Sequence, residues 1–370
     1  MELRRSGLEK VVSPIDKLSI YKGQKVFLTG HTGFKGSWMA KWLIDLGATV
    51  KGYSLAPFTN PSHFDLLNLD METEIGDIRD KEKLKESIKS FNPDIVFHLA
   101  AQPLVRYSYD NPVETYETNV IGTLKLFEAV RGVKSIKAVV NITTDKCYKN
   151  KEWDWGYREN DELGGYDPYS SSKACSEILT DSYRNSFFNL NDFGTTHSCL
   201  IATARAGNVI GGGDWSEDRI IPDIIRSKVA NKPLHIRNPA STRPWQHVLE
   251  PISGYLILGY HLLQGDKFFA CPWNLGPETS QVFQVKDVVD AGNKIFNNSL
   301  DVRSGELKNN PHEADLLMLD PAKANKYLGW KGIMGFQETV DMTFNWYQQY
   351  DQNKLLNTEN DIKQFTDQLR

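Results

Sequence analysis

The sequence is poor in cysteine. Its four thiols, Cys147, Cys175, Cys199 and Cys271, lie far apart and form no C-x-x-C pair. That spacing excludes a disulfide scaffold and a paired-thiol redox motif, and it fits free thiols in a reducing compartment. The eight histidines include no H-E-x-x-H and no close pair of ligand spacing, so no metal site is expected. No window approaches the run of about 18 apolar residues that a membrane span needs. The first ten residues carry Arg4, Arg5, Glu9 and Lys10 and lack the apolar stretch of a secretory signal. An excess of one charge is also missing: Lys+Arg 43 against Asp+Glu 47 leaves a net charge of -4. Such a balance exerts no long-range pull on nucleic acid or anionic membrane. A soluble, cytoplasmic protein without those partners is the expectation.

What is present is globular: 370 residues, 40% hydrophobic and 24% charged, enough to bury a large core without staples. Short apolar runs alternate with helical spacing. Lys25 to Thr29, 48–50, 94–98, 138–142 and 199–202 predict strands, with Trp273 to Leu275 a later one. Helical patterns fall at 37–46, 81–90, 112–130, 169–188 and 248–263. Nearly continuous apolar strands separated by helices predict a parallel sheet covered on both faces. After about residue 205 the texture breaks up around Gly211, Gly212 and Gly213 and several prolines. The expected organisation is a polar leader over 1–20 and a nucleotide-binding domain over 21–205, with a return helix near 246–268. A substrate lobe would comprise 206–245 and 269–345, and 346–370 would be a polar tail.

Between the first strand and the first helix stands Thr29-Gly30-His31-Thr32-Gly33-Phe34-Lys35-Gly36. Glycines at i, i+3 and i+6 permit a tight turn, close approach to a pyrophosphate and close helix–sheet packing. The helix N-terminus that follows offers unpaired N–H groups to phosphates. A doubly wound, Rossmann-type dinucleotide-binding sheet is therefore expected, with a smaller interleaved C-terminal α/β lobe. The acid that usually binds the ribose about 20 residues on is missing, because the chain there reads Lys51-Gly52-Tyr53-Ser54. That rule leaves NAD against NADP open.

Two segments bear reactive groups. Thr143-Thr144-Asp145-Lys146-Cys147-Tyr148 follows a strand end, where open α/β sheets collect their chemistry. Tyr169 and Lys173 are four apart, on one face of a predicted helix. An ammonium there would favour the phenolate, lower the tyrosine pKa and make Tyr169 a base toward a hydroxyl.

These segments, with Arg205 to Trp215 (RAGNVIGGGDW) and Arg243 to Val248 (RPWQHV), resemble the extended short-chain dehydrogenase/reductases, the NAD-dependent epimerase/dehydratase family. The likeness runs from about residue 21 to 345 and is greatest to the nucleotide-sugar 4,6-dehydratases. It implies NAD as a retained cofactor, a nucleotide-sugar substrate with CDP-glucose foremost, and a homodimer. It places Gly30, Thr32, Gly33, Phe34, Lys35, Gly36, Asp77, Ile78, Ala100, Ala101, Gln102, Tyr169 and Lys173 around the cofactor. Catalysis would fall to Thr144, Asp145, Lys146, Tyr169 and Lys173. Asp145 would be the acid that expels the C6 hydroxyl, and the acceptor of the C5 proton stays open. Substrate would meet Asn208, Arg219, Arg237, Arg243 and His312, forked arginines suiting diphosphate oxygens. Beside these readings, His31 is expected to pack and not to react. Trp153, Trp155 and Tyr157 suit either a sugar pocket or loop packing. An epimerase, a reductase and a non-catalytic NAD(P)-binding scaffold remain the rival functions.

Overall fold

The computed structural model describes residues 13–236, 238–278, 283–305 and 316–369. Its first strands are β1 (Lys25–Thr29), β2 (Thr49–Ser54), β3 (Glu72–Ile75), β4 (Ile95–His98), β5 (Ala138–Ile142) and β6 (Leu200–Ala206). Then come β7 (Val209–Ile210), β8 (Leu234–Ile236), β9 (Thr242–Arg243), β10 (Gln246–His247), β11 (Pro272–Leu275), β12 (Phe283–Gln284) and β13 (Val302–Ser304). The helices begin with α1 (Pro14–Leu18), α2 (Phe34–Asp45), α3 (His63–Leu67), α4 (Lys81–Phe91), α5 (Val105–Asp110), α6 (Pro112–Tyr116) and α7 (Thr123–Arg131). They continue with α8 (Pro168–Ser186), α9 (Ile220–Ala230), α10 (Leu249–Leu263), α11 (Val285–Ile295), α12 (Phe336–Asn353) and α13 (Thr358–Gln368).

Seven strands form one parallel sheet in the order β11-β6-β5-β4-β1-β2-β3. The sheet is the expected Rossmann-type one. Its two faces follow from the period of two along each strand. In β1, Val26 and Leu28 face one side and Phe27 the other; β4 repeats this with Ile95 and Phe97 against Val96. The first face is covered by α2 and α10 through Trp38, Leu43, Tyr255 and Leu256, and its core continues into α12 and α13. The second is covered by α4, α7 and α8 through Leu84, Ile88, Leu126, Phe127 and Tyr183. Truncating a fully buried anchor such as Trp38 to Ala would cost about 3–5 kcal/mol. The small pairs β7–β10, β9–β12 and β8–β13 lie outside this sheet. No helix of the described residues is long and apolar enough to cross a membrane.

Five features differ from the sequence reading. Strand β3 has no apolar signature, because it is an edge strand whose Glu72 and Glu74 reach across to the Lys51 ammonium at 2.6 and 3.1 Å. Part of the polar leader is α1 with a following turn: Leu18 and Tyr21 are fully buried, and the Tyr21 hydroxyl donates to the Leu256 carbonyl at 2.7 Å. The polar tail contains α13, whose Phe365 meets Trp42 edge-on at 5.7 Å. Strand β11, expected within the substrate lobe, is the outermost strand of the main sheet because its backbone pairs with β6. The helix expected over 112–130 is α6 and α7 joined by a π-turn, Glu117–Gly122.

Candidate active site at the strand ends

One cavity of about 550 Å³ runs along the ends of the central strands. Its floor is the glycine turn. Gly30 has φ +75° and sits so close to β4 that a Cβ would come within 2.7 Å of the Ala100 nitrogen. A Cβ on Gly36 would stand 2.1 Å from the Gly30 carbonyl oxygen. Gly33 is the N-cap of α2 and supplies no capping side chain, so the first N–H groups of that helix are open to an anion. Thr32, Phe34, Lys35, Ala100 and Ala101 complete this wall, and Asp77 and Ile78 close the far end. Arg79 holds Asp77 through bonds of 3.0 and 2.7 Å, which lowers the Asp77 pKa. At the end of β2 the Ser54 hydroxyl lies 2.9 Å from that of Thr32, where an acid is the commoner residue. Gln102 does not line the cavity: its amide donates to Thr115 and to the Leu104 carbonyl, at 2.9 and 3.1 Å.

The reactive groups converge in the middle. Strand β5 ends at Ile142 and delivers Thr144, Asp145 and Lys146, all lining the cavity. Helix α8 is started by Asp167, whose carboxylate accepts from the Ser170 N–H, with Pro168 in its first turn. Tyr169 and Lys173 thereby face the same space. Asp145 is 2% exposed: its Oδ1 accepts from Thr144 Oγ1 at 2.9 Å, and its Oδ2 is buried with no partner. Burial raises its pKa, against the pull of Lys146 and Arg243.

The tyrosine does not follow the expected direction. Burial pushes the Tyr169 pKa up to about 12, against the lowering effect of its hydrogen bond with Thr144. Burial likewise lowers Lys173 to about 8, and its Nζ lies 3.4 Å from the Ile142 carbonyl oxygen. Desolvation outweighs the helical spacing on which the expectation rested.

Toward the other end, Asn208, Arg219 and Arg243 line the cavity, with Arg219 tied to Asp214 at 2.9 Å. Arg237 and His312 lie outside the described residues. His31 is fully buried against the Phe64 ring, 4.8 Å between centroids, and packs as expected. The aromatic run packs on its own loop: Tyr157 lies 5.1 Å from both Trp153 and Tyr148, and none of Trp153, Trp155 and Tyr157 lines the cavity.

The family model for GDP-mannose 4,6 dehydratase matches residues 27–343. The chain belongs to this family. It is 53% identical over 336 residues to the CDP-glucose 4,6-dehydratase of Salmonella typhimurium, covering 90% of this chain and 92% of that one. It is 26% identical to the dTDP-D-glucose 4,6-dehydratase of Dictyostelium discoideum, over 88% and 81% of the two chains. The fold also matches a dTDP-glucose 4,6-dehydratase of Streptomyces venezuelae solved with NAD bound. There the TM-score is 0.74 at 21% identity, covering 88% of this chain and 97% of that one. An epimerase of Methanothermobacter thermautotrophicus gives a TM-score of 0.78 at 23% identity, covering 95% and 97%.

In this dehydratase-family chain, some residues of the site escape sequence reasoning. Asn119 sits on the π-turn, where it accepts from the Gln102 N–H at 2.9 Å and donates to Ser172 at 2.9 Å. It thus braces the β4 loop against α8, and nothing in its sequence context marks a π-turn. Tyr255 of α10 takes a 3.1 Å hydrogen bond from the Lys35 ammonium group. Lys35 is lowered to about 7 by burial and by the charges of Arg219 and Lys173. Only the break in the apolar pattern of 248–263 hinted at Tyr255.

Proposed function

We propose that the chain is a CDP-glucose 4,6-dehydratase, a hydro-lyase that converts CDP-D-glucose to CDP-4-keto-6-deoxy-D-glucose with NAD as resident cofactor. The observation that carries this reading is Asp145, a buried carboxyl with raised pKa and one unpartnered oxygen beside Thr144 and Tyr169. A buried carboxyl whose pKa is raised toward the protonated form suits expulsion of a hydroxyl, and epimerisation or simple reduction at C4 has no use for it. The 53% likeness to the Salmonella enzyme supports CDP as the nucleotide.

The residues present fit NAD. Gly30 and Gly36 leave no room for side chains, the α2 N-terminus faces the cavity, and Ala100, Ala101, Asp77 and Ile78 line the rest of the cradle. Held in that cradle, NAD would supply reversible hydride acceptance for C4 oxidation and reduction at C6, without net consumption. The protein's own groups handle the protons. Tyr169 takes the proton of the C4 hydroxyl, with Thr144 hydrogen-bonded to that oxygen and Lys173 one helical turn away on the same face. The C4 ketone acidifies C5, so that its proton can be lost as water leaves across C5 and C6. Asp145 then protonates the leaving C6 hydroxyl. Arg219 and Arg243 suit the diphosphate, and Asn208 lines the same cavity.

Exposed Val113, Ile121 and Ile178, on α6, the π-turn and α8, support a homodimer formed through these helices. The free cysteines among the described residues suit the cytoplasm. The test of the activity is incubation with CDP-, dTDP-, UDP- and GDP-glucose, following the 4-keto product. Fastest turnover of CDP-glucose is expected. Conversion of CDP-glucose to its C4 epimer without loss of water would overturn the reading.

A further inference from the structure

Glu177 and Arg205 form an ion pair inside the core at 2.8 Å, with side chains 1% and 2% exposed. Neither lines the cavity. A buried pair is a poor device for stability, because desolvation offsets most of the attraction between the charges. Its placement points to another role. Glu177 lies one helical turn beyond Lys173 on α8. Its Oε1 accepts from the hydroxyl of Thr143, the residue before Thr144 and Asp145, and its Oε2 accepts from Thr203 at 2.7 Å. Arg205 donates to the Tyr148 hydroxyl at 2.7 Å and to the Glu159 carbonyl at 3.1 Å, and Tyr148 donates onward to Asn274 at 2.7 Å. One carboxylate thus joins the helix of Tyr169 and Lys173 to the end of β5 and to the middle of β6. Its guanidinium partner joins them to the 148–159 segment and to β11.

We propose that Glu177 is a positioning residue of the active site, holding the Lys173 ammonium charged and the Thr143–Asp145 turn in register without touching substrate. The inference rests on Tyr169 and Lys173 being the reacting pair. Burial lowers the Lys173 pKa, and Glu177 is the largest influence opposing it. The other titratable groups around this amine come from every neighbouring element: Lys35 of α2, His98 of β4, Cys147 after β5 and Tyr169 of α8. None of them supplies an anion. Lys35 repels the amine, burial holds His98 neutral with its pKa near 3, and it raises the Cys147 thiol and the Tyr169 phenol. With the Glu177 charge removed, a buried amine has no counter-charge beside it and loses its proton at lower pH.

The test is the pH profile of the holoenzyme on CDP-glucose. Glu177→Gln keeps shape and one acceptor oxygen but removes the charge and turns the other oxygen into a donor. It is expected to lower kcat about tenfold or more, with KM within about twofold of wild type. The alkaline limb should move down by about one pH unit. Glu177→Asp keeps the charge and should return the limb toward its wild-type position. Because Glu177→Gln leaves Arg205 unpaired, the double variant Glu177→Gln/Arg205→Met removes both charges at similar volume, and the same displaced limb is expected. A folded charge-free variant whose profile overlays the wild type overturns the proposal. So does failure of both charge-free variants to fold, which assigns the pair to stability alone. Wild-type protein inactive on CDP-glucose would overturn the functional reading together with this inference, so the two failures are told apart.

Discussion

Thr144 Oγ1 donates to Asp145 Oδ1 at 2.9 Å and leaves Oδ2 buried, without a partner, on the cavity side of β5. One oxygen of the acid is fixed and the other has no hydrogen-bond partner. The two functions of the strand end are separable on this geometry.

Asp145→Asn keeps the hydrogen bond to Thr144 and removes the transferable proton. Water loss is expected to slow by about 10²–10⁴-fold, the range for general acid catalysis, while oxidation at C4 proceeds. Reduced cofactor should then accumulate in a single turnover, visible by its absorbance. Equal slowing of both steps would remove Asp145 from the acid role.

The glycine turn makes a second claim. A Cβ at position 36 would meet the Gly30 carbonyl at 2.1 Å, a contact with backbone that no rotamer relieves. Gly36→Ala should yield protein that retains its sheet but purifies without NAD and shows no turnover. Full cofactor content after extraction would contradict the assignment of this turn to the pyrophosphate.

These sites were legible because their signals are local. A turn needing glycines at fixed offsets, a Tyr and Lys one helical turn apart and nearly continuous apolar strands can all be read without tertiary context. What escaped depends on neighbours. Strand β3 is polar because it sits at an edge beside the Lys51 ammonium. Helix α13 packs only Ile362, Phe365 and a few others, too few to stand out in a polar stretch. Gln102 resembled a cofactor contact, yet the π-turn and α6 take up its polar groups. The Tyr169 pKa moved opposite to expectation because spacing reports proximity along a helix and says nothing of desolvation.

Glu250, at the start of α10, carries a pH-dependent stability term. It is 3% exposed, its Oε1 accepts from the Ile333 and Met334 N–H groups at 2.9 and 2.7 Å, and its Oε2 has no partner. Burial pushes its pKa up to about 7. The folded protein therefore retains a proton that the unfolded chain has released. This contribution is full below the ordinary carboxyl pKa and is lost as pH rises through about 7. Glu250→Gln keeps the acceptor and abolishes the ionisation. Thermal melts should show Tm raised by about 2–4 °C at pH 8 and almost unchanged at pH 5. An equal shift at both pH values would assign the effect to packing.

The central claim is that one active site oxidises C4, expels water across C5 and C6 and reduces C6 of the same sugar. The direct measurement uses CDP-glucose carrying deuterium at C4, with the position of the label in the product read by NMR. The account predicts a 4-keto-6-deoxy product with the deuterium at C6, formed without net consumption of NAD, and no product from Tyr169→Phe. Label remaining at C4, or lost to added cofactor or solvent, would contradict it.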